Sequence, residues 1–164
     1  RQVMKVLTAG LPELIAQFQA SRKAEGAALH SILADNLIQM EELITQASAT
    51  LKGRAESYEY NFRAAVARLK QDIDPVRLAQ EMAILTVKSD ITEEIDRLQA
   101  HIAAAQGLLA SDVPSGRKFD FLMQEFNREA NTLCSKSGSK ALTAIGLEIK
   151  VLIDQMREQV QNVE

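Results

Sequence analysis

The feature of this sequence that most limits its fold is a row of apolar residues, three or four positions apart, along most of the chain. This spacing places the apolar side chains on one face of an α-helix. Only seven Gly and three Pro occur among the 164 residues, and no segment shows the persuasive period-two alternation of a strand. The pattern therefore predicts an all-α fold, in which long antiparallel helices form a helical bundle or an extended hairpin.

Breaks in the apolar pattern divide the chain into helices. Asp74 is disfavoured in the α region because it precedes Pro75, and it can cap a helix that starts there. We therefore predict a helical hairpin or arm over residues 1–74 and a C-terminal helical domain over residues 75–164. The predicted helices run from Pro12 to about Leu51, from beyond Gly53 to Asp72, from Pro75 to the turn-rich segment 111–116, from there to SKSGS at 135–139, and from there to near the C-terminus.

Charge is spread unevenly along the chain. The net charge is -3, and residues 72–112 hold eight Asp or Glu against three Lys or Arg. An acidic middle segment favours divalent cations or cationic partners over uniform phosphate binding. The first helix is longer than one small core needs, which predicts contact with a partner chain.

The sequence also bears on location and completeness. Cys134 is the single cysteine, and we find no signal peptide and no apolar run of about 18 residues. A cytoplasmic protein without a membrane span is the simplest expectation. The chain starts abruptly at Arg1 rather than at Met, which predicts a fragment of a longer protein.

A first row of polar residues borders the apolar stripe of the predicted third helix. Asp90, Glu94, Arg97 and His101 follow one another at i, i+4, i+7 and i+11. Carboxylates supply hard oxygen ligands for Mg²⁺ or Mn²⁺, and a neutral imidazole can join them or act as a general base. Spacing alone favours the simpler alternative of ion pairs on a solvated helix surface.

A second group of polar residues lies in the helix GRKFDFLMQEFNREANTLCSK. Carboxylates, amides and a guanidinium in such a group can hold a metal ion and a phosphate together. They can equally form a network that satisfies buried polar groups between helices, and the residues leave both interpretations open. The group comprises one row of Asp120, Gln124, Arg128 and Asn131, a second row of Glu125, Glu129 and Lys136, and the serines at 135, 137 and 139.

Other nucleotide and catalytic motifs are missing from the sequence. It contains no GxGxxG, no GxxxxGK[ST], no Cys/His cluster at zinc spacing and no nucleophile elbow. A further candidate group consists of aromatic rings beside cations, which can stack and grip single-stranded nucleic acid: Tyr58, Tyr60 and Phe62 with Arg54 and Arg63. A core position for Tyr58 and Phe62 is the favoured alternative.

Three segments together resemble the C-terminal region of the YicC/YloC family. GRKFDFLMQEFNREANTLCSKS and the terminal KVLIDQMREQVQNVE carry the most specific part of this resemblance. LAQEMAILTVKSDITEEIDRLQAHI is similar to the family pattern D-I-x-E-E-x-x-R-L-x-x-H, and KAEGAAL fits its E-G-x-x-L signal. The resemblance covers about residue 20 to residue 164.

The resemblance implies an endoribonuclease that depends on a divalent cation, acts on RNA, is induced by stress and assembles as an oligomer, with a hexamer as the expected form. It also implies that the family's N-terminal domain is absent from this chain, so that the isolated fragment need not be active. The alternative is a helical RNA-decay adaptor or oligomerisation module without catalysis.

We assign hypothetical roles to the polar residues on the basis of the two rows and the resemblance. The catalytic candidates are His101, Glu94, Glu129 and Arg128. The RNA-binding candidates are Arg97, Lys136, Asn131 and Ser135. The candidate ligands for Mg²⁺ or Mn²⁺ are Asp90, Glu94, Glu125 and Glu129.

Overall fold

The fold is taken from a computed structural model that describes residues 2–51, 53–68, 74–111 and 113–161. Within these ranges the chain forms six α-helices and no strand, which confirms the predicted all-α class. The helices are α1 (Gln2–Ala49), α2 (Arg54–Arg68), α3 (Pro75–Ser89), α4 (Thr92–Leu109), α5 (Gly116–Lys136) and α6 (Lys140–Val160).

Helix α1 is longer than predicted, since it begins at Gln2 and contains Pro12. Proline removes one backbone hydrogen bond and frees a carbonyl four residues earlier. The described side chains around Pro12 are exposed, so water can satisfy that carbonyl. The 48 residues of α1 span about 72 Å at about 1.5 Å per residue. Among its described side chains, from residue 9 onward, the buried ones all lie in the second half of the helix.

The core of the molecule is a four-helix bundle. The second half of α1 packs against α4 and α6, and α5 packs against the same two helices. Each helix contributes an apolar stripe, and burial of each large side chain stabilises the fold by about 1.5–3 kcal/mol. The predicted α5 stripe is confirmed as buried, and it consists of Phe119, Leu122, Met123, Phe126, Ala130 and Leu133.

Helices α2 and α3 lie against each other outside this core. None of the residues of α3 is fully buried, and Tyr58 and Phe62 of α2 are only half-buried, so neither is the core residue that the pattern favoured. The predicted cap of α3 is confirmed, because Asp74 Oδ1 accepts a hydrogen bond from Val76 N at 3.0 Å. The predicted end of the second helix, at 69–73, lies outside the described residues.

The predicted single helix from Pro75 to the 111–116 turn is wrong, because the chain breaks between α3 and α4. Asp90 has an extended backbone, and its Oδ1 accepts hydrogen bonds from Thr92 N at 2.9 Å and from Thr92 Oγ1 at 2.7 Å. Such local side-chain bonds compete with helical ones. The apolar period continues through this break, which is why spacing alone did not show it.

The turn between α5 and α6 is tight and mostly polar. Gly138 has a φ of 60°, a left-handed conformation that favours glycine. Ser139 caps α6 by accepting a hydrogen bond from Leu142 N at 3.2 Å. The hydroxyl of Ser137, which is buried, lies 2.7 Å from that of Thr143. This turn holds the two helices side by side.

The bundle uses residues on both sides of the predicted division after residue 74, and that division stays a prediction. None of the helices in the described ranges is both long enough and apolar enough to cross a membrane.

Candidate functional site

Two ion pairs connect α4 to α5 and define the candidate site. Lys136 Nζ lies 2.8 Å from Glu94 Oε1, and Arg97 Nη1 lies 3.2 Å from Glu129 Oε1. Glu94 and Glu129 are both buried, with side chains 7% and 4% exposed, although carboxylates seldom leave water unless they are paired. Glu94 and Arg97 of the first row therefore face residues of the second group across one helix interface.

Electrostatics at this interface centre on Arg97. Its guanidinium also binds Glu93, one turn earlier on α4. The hydrogen bond with Glu129, followed by the charge of Glu93, raises the pKa of Arg97 above its ordinary value. Arg97 therefore remains charged and holds the Glu129 side chain in place.

Glu129 also belongs to a group of three potential metal ligands. One ligand atom each from His101, Glu125 and Glu129 lies within 4.8 Å of the others. The His101 ring meets Phe126 edge to face, with a centroid distance of 5.7 Å and an angle of 75°. Its Nε2 is buried and has no hydrogen-bond partner. A buried ring nitrogen without a partner beside two carboxylates is an arrangement that a cation would satisfy.

The predicted ligands Asp90 and Glu94 lie elsewhere. Asp90 is exposed in the break between α3 and α4, where its hydrogen bonds with Thr92 lower its pKa below the ordinary value. Glu94 is occupied by Lys136 through one carboxylate oxygen, while its Oε2 is buried without a hydrogen-bond partner. In the described part of the chain, neither belongs to the three-ligand group.

Of the predicted RNA-binding residues, Arg97 lies on α4, and the other three divide between two faces of α5. Lys136 faces α4, as described above, whereas Asn131 and Ser135 are exposed away from it. Asn131 donates to Asn127 Oδ1 at 3.0 Å, and Ser135 donates to the carbonyl of Thr132 at 2.9 Å. These two side chains bond within their own helix.

Arg128 lies between the two faces. Its side chain is 68% exposed, and its Nη1 is 3.8 Å from Glu125 Oε2, the carboxylate of the three-ligand group. On its other side an open groove of about 520 Å³ runs between α5 and α6. The groove is lined by Met123, Gln124, Asn127, Arg128, Asn131, Thr132 and Arg157.

Two contacts at the site were not predicted from the sequence. Glu93 was not among the assigned residues, although its position four residues before Arg97 is the ordinary spacing of a helical ion pair. Arg54 donates a hydrogen bond to the carbonyl of Lys136, which lies 82 positions away. No local pattern indicates that second contact, because it depends on the tertiary arrangement of α2 and α5.

Fold and site together define an all-α protein with a carboxylate-rich site between two helices of a bundle. Comparison with known proteins is more specific: the chain belongs to the family described as endoribonuclease YicC-like, C-terminal, whose model matches residues 34–164. This confirms the family resemblance of the sequence.

Two curated relatives carry the name probable endoribonuclease YicC. The protein of Haemophilus influenzae is 40% identical over 162 residues, which cover 96% of this chain and 55% of the relative. That of Clostridioides difficile is 35% identical over 162 residues, covering 97% of this chain and 55% of the relative. The chain thus spans about half the length of these relatives.

Proposed function

We propose that this chain forms the C-terminal part of an endoribonuclease and that His101, Glu125 and Glu129 hold a divalent cation at its active site. The observation that carries the proposal is the convergence of these three side chains. The buried Nε2 of His101, which has no hydrogen-bond partner, supports it. The names of the relatives support RNA as the substrate.

The donor set fits a cation such as Mn²⁺ better than Mg²⁺. Mg²⁺ prefers an all-oxygen octahedron with several waters, whereas Mn²⁺ more readily accepts an imidazole nitrogen beside carboxylates. The ligand atoms are within 4.8 Å of one another, so these three side chains would hold such a cation between α4 and α5.

When bound, such a cation polarises a phosphoryl oxygen and lowers the pKa of a neighbouring water. Arg97 keeps the Glu129 carboxylate oriented through its hydrogen bond. Arg128, exposed and close to Glu125, is the cation best placed to approach a phosphate beside the cluster. Lys136 is less available because Glu94 already binds its ammonium group.

The test combines metal binding with cleavage. Glu125→Gln removes one carboxylate but keeps the Arg97 and Glu129 pair, and Glu148→Gln on α6 is the exposed control. We expect Glu125→Gln to weaken Mn²⁺ binding to this chain, measured by electron paramagnetic resonance, by at least about tenfold. Cleavage of an RNA oligonucleotide, measured on the protein at the full length of its relatives, should fall in parallel.

Cleavage that persists equally in EDTA and in Glu125→Gln would contradict the cation role. The identity of the product ends adds a separate test: 5′-phosphate ends indicate attack by water, and 2′,3′-cyclic phosphate ends indicate attack by the 2′-hydroxyl of RNA.

The buried ion pairs favour a second candidate function, a helical adaptor or assembly module. In that case Glu94 and Glu129 serve the packing of α4 on α5. Glu94→Gln would then lower the melting temperature while cleavage per folded molecule stays constant, because its loss strands the partly buried Lys136. Unchanged melting with lost cleavage would exclude this alternative.

Four further statements stay predictions: the induction by stress, the cytoplasmic location, the assembly as a homo-oligomer or hexamer, and the roles of Asp90, Glu94, Asn131 and Ser135 at the site. Substitution of each of these four residues can be tested by the same measurements of Mn²⁺ binding and RNA cleavage.

A further inference from the structure

A small polar cavity lies where the start of α2 meets the turn between α5 and α6. Its volume is about 230 Å³. Among the described residues, its lining includes one cationic side chain and no carboxylate. The lining residues are Thr50, Gly53, Arg54, Ser57, Tyr58, Asn61, Ser137, Gly138 and Ser139.

Arg54 is held rigidly in this lining. Its Nη2 donates to the carbonyl of Lys136 and lies 3.4 Å from Tyr58 Oη, and its guanidinium sits 5.4 Å from the centroid of the Tyr58 ring. Its Nε is buried and has no hydrogen-bond partner. Arg54 lines a cavity whose described lining has no carboxylate, and a phosphate oxygen is a good geometric match for such a guanidinium.

The neighbouring polar groups support an anionic ligand. Ser57 and Asn61 make no side-chain hydrogen bond within the described ranges, so their donors are free for a ligand. Asp90 is close enough for the charges of Arg54 and Lys136 to lower its pKa, but its carboxylate is bonded to Thr92. Arg54 therefore has no ion-pair partner in the described part of the chain.

Glycine at position 138 keeps the cavity wall close to Tyr58. A Cβ atom there would lie 1.5 Å from Tyr58 Oη, a distance that no side chain tolerates. The wall is thus built by the α5 and α6 turn itself, and α6 begins there at Lys140, with the positive end of its dipole near the cavity.

The cavity lies about two turns of α5 from the proposed active site. Arg54 contacts Lys136, and Lys136 is two turns after Glu129 on the same helix. Seven residues of α-helix extend about 10 Å. A single RNA strand that passes the His101, Glu125 and Glu129 cluster can therefore reach the cavity within a few nucleotides.

We propose that this cavity binds a backbone phosphate of single-stranded RNA, a short distance from the phosphate that is cleaved. Arg54 supplies the guanidinium, and Ser57 and Asn61 supply neutral donors. The inference rests on the proposed function for its substrate, but it concerns binding at a separate place and can be tested without cleavage.

The first test measures salt dependence. The ligand is a single-stranded oligoribonucleotide labelled with fluorescein, and the protein is used at the full length of its relatives. Fluorescence anisotropy in the presence of EDTA gives the affinity for this RNA at several salt concentrations. Each phosphate contact to a single strand contributes about 0.7 to the slope of log affinity against log salt. We expect Arg54→Gln to weaken affinity about tenfold and to reduce the slope by about 0.7. Arg68→Gln, an exposed arginine on the same helix, should change neither.

A second pair of variants separates ligand binding from folding, since Arg54→Gln also removes the contact with Lys136. Ser57 is exposed at the cavity, and Ser57→Asp and Ser57→Asn differ only in charge. Ser57→Asp should weaken RNA binding more than Ser57→Asn, with equal melting temperatures. Equal binding by both variants, or equal behaviour of Arg54→Gln and Arg68→Gln, would overturn the proposal.

Inorganic phosphate distinguishes the source of the anion. At constant ionic strength it should compete with RNA for the unmodified protein and have no effect on Arg54→Gln. If it binds through Arg54 while RNA affinity is the same with and without Arg54, the cavity is a site for a free anion and the RNA proposal is wrong. Failure of cleavage in Glu125→Gln bears only on the metal cluster, so the two proposals can fail independently.

Discussion

The carboxylates of this protein show how strongly the surroundings of a single residue determine its role. Asp90 and Glu94 are one helical turn apart in sequence, yet Asp90 is exposed and bonded to Thr92, whereas Glu94 is buried and paired with Lys136. Glu129 is buried against Arg97 and also belongs to the three-ligand group. Similar side chains therefore serve a turn, an interhelical ion pair and a candidate metal site.

The turn at Asp90 predicts a small pH dependence of stability. Hydrogen bonds from Thr92 lower the pKa of Asp90 in the folded state, so the ionised carboxylate stabilises the fold above the unfolded pKa of about 3.9. This contribution is lost as the pH falls through the lower, folded pKa. At pH 7, Asp90→Asn should reduce the free energy of unfolding by less than about 1 kcal/mol, since the site is exposed. Urea unfolding should show that the difference in unfolding free energy between Asp90→Asn and the unmodified protein is smaller at pH 3 than at pH 7.

The control for that experiment is Asp96→Asn, an exposed position on α4. A difference between the Asp90 variant and the unmodified protein that is as large at pH 3 as at pH 7 would contradict the assignment to the carboxylate.

Two left-handed glycines give a second prediction at this scale. Gly53 has a φ of 75° with open space around it, whereas Gly138 has a φ of 60° and faces Tyr58. Alanine at either position costs about 1–2 kcal/mol for the backbone conformation, and Gly138→Ala should cost more because of the clash. Thermal unfolding measures both. Equal losses of stability in the two alanine variants would mean that the Tyr58 side chain moves away without cost. Adding Tyr58→Ala to Gly138→Ala should remove the extra loss that the clash causes.

Helix α5 has several different interfaces, because its faces contact different neighbours. One side buries the apolar stripe, a second presents Glu125, Glu129 and Lys136 to α4, and a third lies along the groove beside α6. A helix surface changes its exposure every residue, so a dense mixture of polar types along α5 reflects several interfaces rather than one site.

Two helical glycines should respond in opposite ways to substitution: Gly146 lies where α6 crosses α5, and Gly107 lies near the end of α4. A Cβ at Gly146 would lie 2.5 Å from Cys134 Sγ and 3.1 Å from Leu133 Cδ2, whereas a Cβ at Gly107 meets nothing within 4 Å. Gly146→Ala should destabilise the protein by about 1–3 kcal/mol through overpacking. Gly107→Ala should stabilise it by up to about 1 kcal/mol through helix propensity.

Chemical denaturation of the two glycine variants tests this interface, and Cys134→Ala combined with Gly146→Ala should recover part of the loss. A stable Gly146→Ala variant would show that α5 and α6 can separate without cost.

At the scale of the whole molecule, the most unusual feature is the first half of α1. It extends beyond the bundle and exposes an apolar row at helical spacing. The exposed fractions of the side chains in this row lie between 48% and 62%, and the residues are Leu11, Leu14, Ile15 and Phe18. An exposed apolar face of this kind commonly marks an interaction surface. The row is where the predicted contact with a partner chain would be made.

We predict that this row contributes to the proposed homo-oligomer. Leu14→Gln combined with Phe18→Gln should shift the mass measured by light scattering toward the monomer, because glutamine removes the apolar area without adding charge. The melting temperature of the bundle should change little, since neither side chain belongs to the core. Val151→Gln, at an exposed apolar residue of α6, is the control. An unchanged mass would contradict the prediction.

Much of the fold followed from local pattern, because a helix is defined by contacts between residues three and four positions apart. That period predicted α5 with its buried stripe and α6, and the capping chemistry of Asp74 predicted the start of α3. It missed the break at Asp90, where a local turn interrupts a helix although the apolar spacing continues, and the early start of α1, where an exposed Pro12 is tolerated.

The sequence by itself determined the all-α class, the buried stripe of α5 and the rows of polar residues, since all three depend on spacing within one segment. Only the tertiary structure decided how the rows combine. The packing of α4 on α5 pairs Glu94 with Lys136 and Arg97 with Glu129, and it leaves His101 beside Glu125 and Glu129. The packing of α2 brings Arg54 to Lys136. Such contacts depend on the relative position of two helices, which no periodicity within either helix encodes.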